Sequence, residues 1–488
     1  MRERQIPKVP FIRFILNAKR ILKNPLPFHH ENFTNKGDTF QLKIGFGQSV
    51  VFSRNPGFAI HALQKNQRNY HKSDIQTKQL AKYVGQGLLT AEGEKWKTQR
   101  KLIQPAFHKK ALVNLLNKVM DAIQLELQRI EPNTPIDIFP IFNDLAFQTV
   151  VKALFSTDIE PSLINRLQHI TEAAQEMLVR ELRQPYKGLY FKYGGPIKKH
   201  IALVQEAREI LRGFVNDRRQ SGLRHDDLLD MLLDARYEDG SAMDEQQLLD
   251  EILILFVAGH ETTSNALTFT MELLARHPEV QERLYAEIVN ESAFLPVGQA
   301  GANLPNGQEG AQSKEMATES QTNPVKVGSE SVKKEEITSD ADLLAFIKSQ
   351  TYAKQVIEES MRLYPPAYFI DRVNYEVDSF EGMEIPKGSN LLFSVIEIHK
   401  HKDYWEEPEQ FNPDRFANNA GMKHPAYFPF GAGPRMCIGN NFAMYEMVLA
   451  VTEVAKQYKI VSKNTAIEIK PLITLKPQNA ILTFIPRS

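Results

Sequence analysis

Cys437 is the only cysteine among 488 residues, so it has no partner in the chain for a disulfide and acts chemically as a single thiol. It stands in Phe428-Pro-Phe-Gly-Ala-Gly-Pro-Arg-Met-Cys-Ile-Gly-Asn-Asn-Phe-Ala-Met444. Gly431, Gly433 and Pro434 force an irregular loop there, and Phe442 to Val454 repeats its apolar residues at helical spacing. The sulfur therefore lies just ahead of a helix start, where unpaired backbone N–H groups and the positive dipole end favour a thiolate. A thiolate can ligate iron, and the glycines let a flat ligand approach the backbone. A cysteine on its own is more often a small buried hydrophobe, so its surroundings must decide.

A second polar group interrupts an apolar run, Glu251-Ile-Leu-Ile-Leu-Phe-Val-Ala-Gly-His-Glu-Thr-Thr-Ser-Asn-Ala-Leu-Thr-Phe269. Gly259 to Thr263 places an acid and hydroxyls where burial is costly unless they find partners. One reading is a helix bend, with Thr262 bonding the Ala258 carbonyl. Glu359-Ser-Met-Arg362 sets an acid and a base three residues apart on one helix face, by itself an ordinary ion pair worth well under about 1 kcal/mol. Trp96-Lys-Thr-Gln-Arg100 puts an indole N–H and a guanidinium one turn apart, a pairing suited to a carboxylate.

The elements that must position these groups are mostly helical. Leu112, Leu116, Val119 and Met120, and then Leu203, Ala207, Ile210, Leu211 and Val215, carry the 3.6-residue period between about Ile103 and Leu284. A polar start at Asp244 to Gln247 and a stop at His277-Pro278 bracket roughly 33 residues, about 50 Å of helix, and so apolar a helix must run through the core. Short β-branched runs sit near the ends: Thr39–Ile44, Ser49–Phe52, Ala466–Ile469 and Ala480–Ile485. Gln299 to about Thr338 has no aromatic residue and is rich in Gly, Gln, Ser, Asn, Lys and Glu, and is expected to be a disordered surface insertion. Helical pattern on both sides makes it a loop expanded within one domain. The expectation is mainly α with small peripheral β-sheets, one domain over 1–488.

These segments together resemble the cytochrome P450 family. Phe430, Gly433, Arg435, Cys437 and Gly439 fill every fixed position of its haem-binding signature, Phe-x-x-Gly-x-Arg-x-Cys-x-Gly. Ala258-Gly-His-Glu-Thr-Thr263 is similar to its oxygen-activation motif, and Pro413-Asp-Arg-Phe416 adds Arg415 to Glu359 and Arg362. The motifs follow in the family's order from roughly Phe40 onward. The resemblance implies the cytochrome P450 fold, haem b with Cys437 as axial ligand, and O2 as co-substrate. It also implies catalytic roles for Glu261 and Thr262 in proton delivery, and a cofactor site of Trp96, Arg100, Ala258, Arg372, Phe430, Arg435, Cys437 and Gly439. Glu359, Arg362 and Arg415 would form a buried structural network beneath the Cys437 loop. Phe256, Val257, Ala258, Ala367, Phe369 and Ile473 would line the substrate pocket. The implied reaction is hydroxylation of a lipophilic molecule of fatty-acid, terpenoid or carotenoid type.

The electrons must come from elsewhere, because too few residues follow Cys437 for a flavin or nicotinamide domain. NAD(P)H would act only indirectly, through a ferredoxin, flavodoxin or reductase. Fifty-nine basic residues balance 59 acidic ones, and nothing in that balance points to a nucleic-acid partner, so none is expected. The N-terminus is too often interrupted by charge to span a membrane, and is expected to pack on the domain, with peripheral membrane contact as the other reading. The expectation is a cytoplasmic monomer. A peroxygenase or isomerase on the same fold would need no donor, but Glu261-Thr262 argues against it. A haem-thiolate sensor would need an output domain that the chain does not show.

Overall fold

Apolar residues at helical period dictate most of the elements in the computed structural model, which describes residues 5–44, 49–156, 159–184, 187–291 and 339–487. The stretch expected as an insertion, 299–338, lies outside the described residues. In chain order, the elements that bear on the site begin with helices α1 (Phe11–Leu16) and α2 (Ala18–Lys23) and strands β1 (Thr39–Lys43) and β2 (Ser49–Ser53). Helices α3 (Gly93–Ile103), α4 (Phe139–Phe155), α5 (Pro161–Arg183), α6 (Gly188–Tyr193), α7 (Pro196–Ser221), α8 (Glu245–Arg276) and α9 (Thr351–Leu363) follow. Strands β3 (Phe369–Asn374) and β4 (Asn390–Ser394), helix α10 (Asn440–Gln457) and strands β5 (Glu468–Pro471) and β6 (Leu475–Gln478) complete the set.

The long apolar run is α8, 32 residues. It starts where Asp244 caps the Gln247 N–H at 2.7 Å, and it stops at His277, before Pro278. It packs against α4, α7, α9 and α10, so its buried leucines and isoleucines form the middle of the main apolar cluster. Each such side chain contributes about 1.5–3 kcal/mol by leaving water.

The strands form small sheets. The largest has six strands in the order Lys8–Val9, β1, β2, β4, β3, Tyr70–His71, with β3 antiparallel to β4 and Ile370 opposite Phe393. That sheet brings β3 to the wall of the site. Strands β5 and β6 pair in a hairpin whose turn holds Leu472 to Thr474. The expected packing of the N-terminus is only partial, since Phe14 touches the Phe28–Phe40 cluster but no residue of α1 or α2 is buried. No helix among the described residues is long and apolar enough to cross a membrane.

Candidate functional site

The loop before α10 is shaped by two left-handed glycines, Gly431 (φ 74°) and Gly433 (φ 73°). A Cβ at Gly433 would also collide with the Leu63 carbonyl, so only glycine lets the loop lie against that segment. The Cys437 N–H donates to the Phe430 carbonyl at 2.9 Å, closing the loop on itself. The sulfur is presented three residues ahead of α10, into a cavity of about 400 Å³. Cys437 is accessible there, though deep in the protein. Burial pushes its thiol up, while the Gly439 N–H and Arg100 pull it down. The helix start that favours a thiolate is thus outweighed by desolvation, and a cation at the sulfur is what would hold it ionised.

The facing wall is the middle of α8. Ala258 is exposed in an otherwise buried stretch because it faces this cavity, and Thr262 and Thr263 line it too. The Thr262 hydroxyl donates to the Ala258 carbonyl at 2.8 Å, and Thr263 to Gly259 at 2.9 Å. The helix nevertheless runs unbroken through them. Gly259 is required for packing, since a Cβ there would press on Val150 at 2.9 Å.

One end of the cavity is crowded with cations. Lys72, Arg100, Arg372 and Arg435 line it with Trp96, and the acids beside them are Glu92 and Asp371. Burial first, and then the neighbouring charge of Arg435, pull Lys72 down to about 7, although its Nζ donates to the carbonyls of Leu88 and Ala91 at 2.9 Å. Burial likewise lowers Arg372 to about 10. Arg100 donates to the Met436 carbonyl at 2.8 Å, tying α3 to the residue before Cys437. Arg435 lies over the Trp96 ring at 4.7 Å and gives its fork to Glu92, the cap of α3. Burial would raise Glu92, but Arg435 and the amides of Lys72 and Gly93 hold it at about 2. Positive charge in excess of its buried partners, depressed by its own crowding, is a site for a dianion. The two propionates of a haem fit it, with Cys437 placed for the iron.

Beneath the loop, Glu359 and Arg362 are both fully buried and meet at 2.6 Å, with Arg415 3.5 Å from the same carboxylate. The pair is therefore no surface ion pair. The backbone N–H of Phe428, at the start of the loop, donates to His399 Nε2 at 2.8 Å, and Arg362 holds the His399 carbonyl at 2.8 Å.

A family model described as Cytochrome P450 matches residues 6–292 and 340–484. The chain belongs to the cytochrome P450 family. It is 27% identical over 428 residues to a cyclooctat-9-en-7-ol 5-monooxygenase of Streptomyces melanosporofaciens, covering 87% of this chain and 83% of that protein. It is 24% identical over 458 residues to a pentalenene oxygenase of Streptomyces avermitilis, covering 93% and 91%. A solved cytochrome P450DA haem domain superposes with a TM-score of 0.78 at 19% identity, covering 100% of this chain and 99% of that one. The P450 is an oxidoreductase that uses haem iron and O2 for monooxygenation. The segment 293–339 is left unmatched by the family model.

All eight residues expected around the P450 cofactor line the one cavity, and so do Ala367 and Phe369. Three pocket residues do not. Phe256 is 1% exposed and packs between Phe147 and Phe155, ring centroids 5.5 and 5.8 Å away, on the core side of α8. Val257 faces a separate small void with Tyr83 and Leu253. Ile473 stands 37% exposed on the β5–β6 turn. Ile473 rests on the family resemblance alone, whereas Phe256 and Val257 stand next to Ala258 in sequence, and residues adjacent on a helix point about 100° apart. The same geometry turns Glu261 off the cavity wall. It is buried among Thr474, Gln175 and Lys476, and burial pushes its carboxyl up against the pull of Lys476. Lys72 and Glu92 were missed by the sequence reading. The only signal was an acid directly before a glycine-started helix, and a buried lysine has no local signature. A larger, open cleft of about 1280 Å³ runs between α3 and residues 231–239, but it holds neither Cys437 nor Thr262.

Proposed function

We propose that Cys437 is the thiolate ligand of haem b, and that this P450 hydroxylates a neutral lipophilic molecule lodged between α8 and Ala367–Ile370. The observation that carries this reading is the placement of Cys437 and Thr262 on one buried cavity whose cations all gather at one end. When bound, haem supplies the one-electron and oxygen chemistry that no side chain can. Trp96, Arg100, Arg372 and Lys72, which line the cavity, would hold its propionates, and Arg435, fixed by Glu92, orients Trp96. Thr262 holds a proton at its Oγ1 on the cavity wall. Glu261, one residue back on the helix, takes protons from the side of Gln175 and Lys476 and passes them toward Thr262. Its upward shift moves it toward the range where an acid both takes and gives a proton.

With every lining cation at the propionate end, none remains to pair with a substrate carboxylate. Leu88, Leu89, Ile254, Ala258, Phe369 and Ile370 make the rest of the wall mainly apolar. This favours a terpenoid over a fatty acid or a carotenoid carrying acid groups, and the names of the two Streptomyces relatives point the same way. Electrons come from a separate ferredoxin, flavodoxin or reductase, with NAD(P)H acting only through it. Arg100 of α3 holds the carbonyl of Met436, which is 38% exposed and adjoins Cys437, and α3 also exposes Lys95, Lys97 and Lys101, the last two paired with Glu94 and Glu238.

The test is the reduced, CO-bound spectrum of the purified protein. We expect the red-shifted thiolate band in the wild type and its loss in Cys437→Ala; its survival there refutes the ligand assignment. With donor proteins added, Thr262→Ala is expected to divert most reducing equivalents to peroxide, and unchanged coupling removes Thr262 from proton delivery.

A further inference from the structure

Lys72 follows the edge strand Tyr70–His71 and is only 6% exposed, and a lysine is almost never so buried unless a carboxylate pairs with it. Here the nearby carboxylates are engaged elsewhere. Glu92 gives both oxygens to Arg435 and accepts the backbone N–H of Lys72 at 2.9 Å, and Asp371 accepts from Ser73 and Gln76. Among the described residues, the Lys72 Nζ donates to two carbonyls, those of Leu88 and Ala91, each at 2.9 Å.

That pair of acceptors fits one protonation state better than the other. A neutral amine has two N–H groups and a lone pair, whereas an ammonium has three N–H groups. Two carbonyls satisfy the amine in full and leave the ammonium one donor in hand. Lys72 lines the cavity, so an anion lodged at its cationic end is what would occupy that third position.

The charges that face Lys72 come from several elements. Arg435 reaches it from the Cys437 loop, Arg372 and Asp371 from β3, and Glu92 from the cap of α3. Arg100 of α3 lines the same end of the cavity. From α8, Glu251 accepts the N–H of Leu88 at 2.8 Å, and burial raises that carboxyl to about 7 as well. With Lys72 protonated, it and the three arginines exceed Glu92 and Asp371 by two charges, which is the charge of two propionates. With Lys72 neutral the excess is one, and a buried dianion stays half compensated. Burial and the Arg435 charge favour the amine until an anion stands beside it.

We propose that Lys72 takes up one proton from solvent as the haem propionates enter the cavity, so that this P450 holds its cofactor less firmly as pH rises. The inference rests on the haem reading of the Cys437 cavity given above. The proton goes to the Nζ lone pair, and no covalent bond to the cofactor forms. A group whose pKa the bound anion raises contributes fully below its unliganded value and loses that contribution above it. Each pH unit above about 7 multiplies the amine over the ammonium about ten-fold, so the Lys72 contribution falls at least about ten-fold between about pH 7 and about pH 9.

Haem transfer from the holo-protein to excess apomyoglobin, followed in the Soret band at about pH 7 and about pH 9, tests this. We expect Lys72→Met to lose haem at least about ten-fold faster than wild type at the lower pH and within about three-fold of it at the higher. The Cys437 and Glu251 protons are common to both proteins and cancel in the ratio. Arginine keeps its charge throughout, so the rate in Lys72→Arg is expected to climb less steeply with pH than in wild type. A Lys72→Met to wild-type ratio that is the same at both pH values overturns the proposal, and so does a Lys72→Arg rate that climbs as steeply as wild type. A wild type without the thiolate CO band refutes the Cys437 reading and this proposal with it, whereas an intact band beside a constant ratio refutes the proposal alone.

Discussion

Arg362→Leu is the substitution whose cost can be worked most directly from the structure. All five N–H donors of Arg362 are used: two on Glu359 at 2.6 and 2.8 Å, and three on the carbonyls of His399 (2.8 Å), Pro408 (2.7 Å) and Gln410 (3.0 Å). Leucine leaves the Glu359 carboxylate, wholly buried, with the Asn412 N–H at 2.9 Å and Arg415 at 3.5 Å. A buried charge stripped of its partner costs about 3–5 kcal/mol. The three stranded carbonyls add about 1 kcal/mol each, for roughly 6–8 kcal/mol in all. Unfolding entropy near 2.1 cal/mol/K per residue is about 1 kcal/mol per degree for a chain of this size, so the thermal midpoint is expected to fall by roughly 6–8 °C. The double variant Glu359→Leu, Arg362→Leu removes the stranded charge and is expected to recover at least about half of that loss. The damage also reaches the sulfur. Burial and the Arg362 charge hold His399 at about 3, so its Nε2 is free to accept from Phe428 and anchor the Cys437 loop. A decline of the thiolate CO band should therefore accompany the fall in midpoint. A midpoint within about 1 °C of wild type, as for an exposed pair such as Lys387 with Glu376, or a double variant worse than the single, refutes the reasoning.

Ala258→Phe fills the cavity opposite Cys437 and is expected to abolish the spin-state shift produced by lipophilic ligands while leaving the reduced CO band; an unchanged shift shows that ligands bind elsewhere. Glu272 is wholly buried, with Arg276 3.6 Å away, and burial raises it to about 7. A carboxyl raised in the folded state contributes stability that is complete below its unfolded pKa near 4.5 and is lost as pH rises through about 7. Glu272→Gln is therefore expected to raise the midpoint by a few degrees at about pH 8, on the order of 3 kcal/mol, and to leave it unchanged near pH 4.5. A gain that is equal at both pH values contradicts the burial argument.

Much of the chemistry could be read before any fold was known, because it resides in contiguous segments. The Cys437 loop announces itself through glycines that only a left-handed turn requires, and α8 through an apolar run with an acid-alcohol pair inside it. Its two ends were written by Asp244 and by Pro278, a capping carboxylate and a residue that cannot continue a helix. Side-chain direction was harder. Ala258 and Val257 are neighbours in sequence, but one faces the cavity and the other a separate void.

By itself the sequence determined the Cys437 loop, the long helix and the order of the motifs, since each depends on residue types at short, fixed spacing. Only the tertiary structure decided what surrounds them. It revealed Lys72 and Glu92 at the cationic end of the cavity and turned Glu261 toward Lys476. Those relations join residues scores to hundreds of positions apart, where burial and charge are set by whichever elements pack together and no local pattern records the outcome.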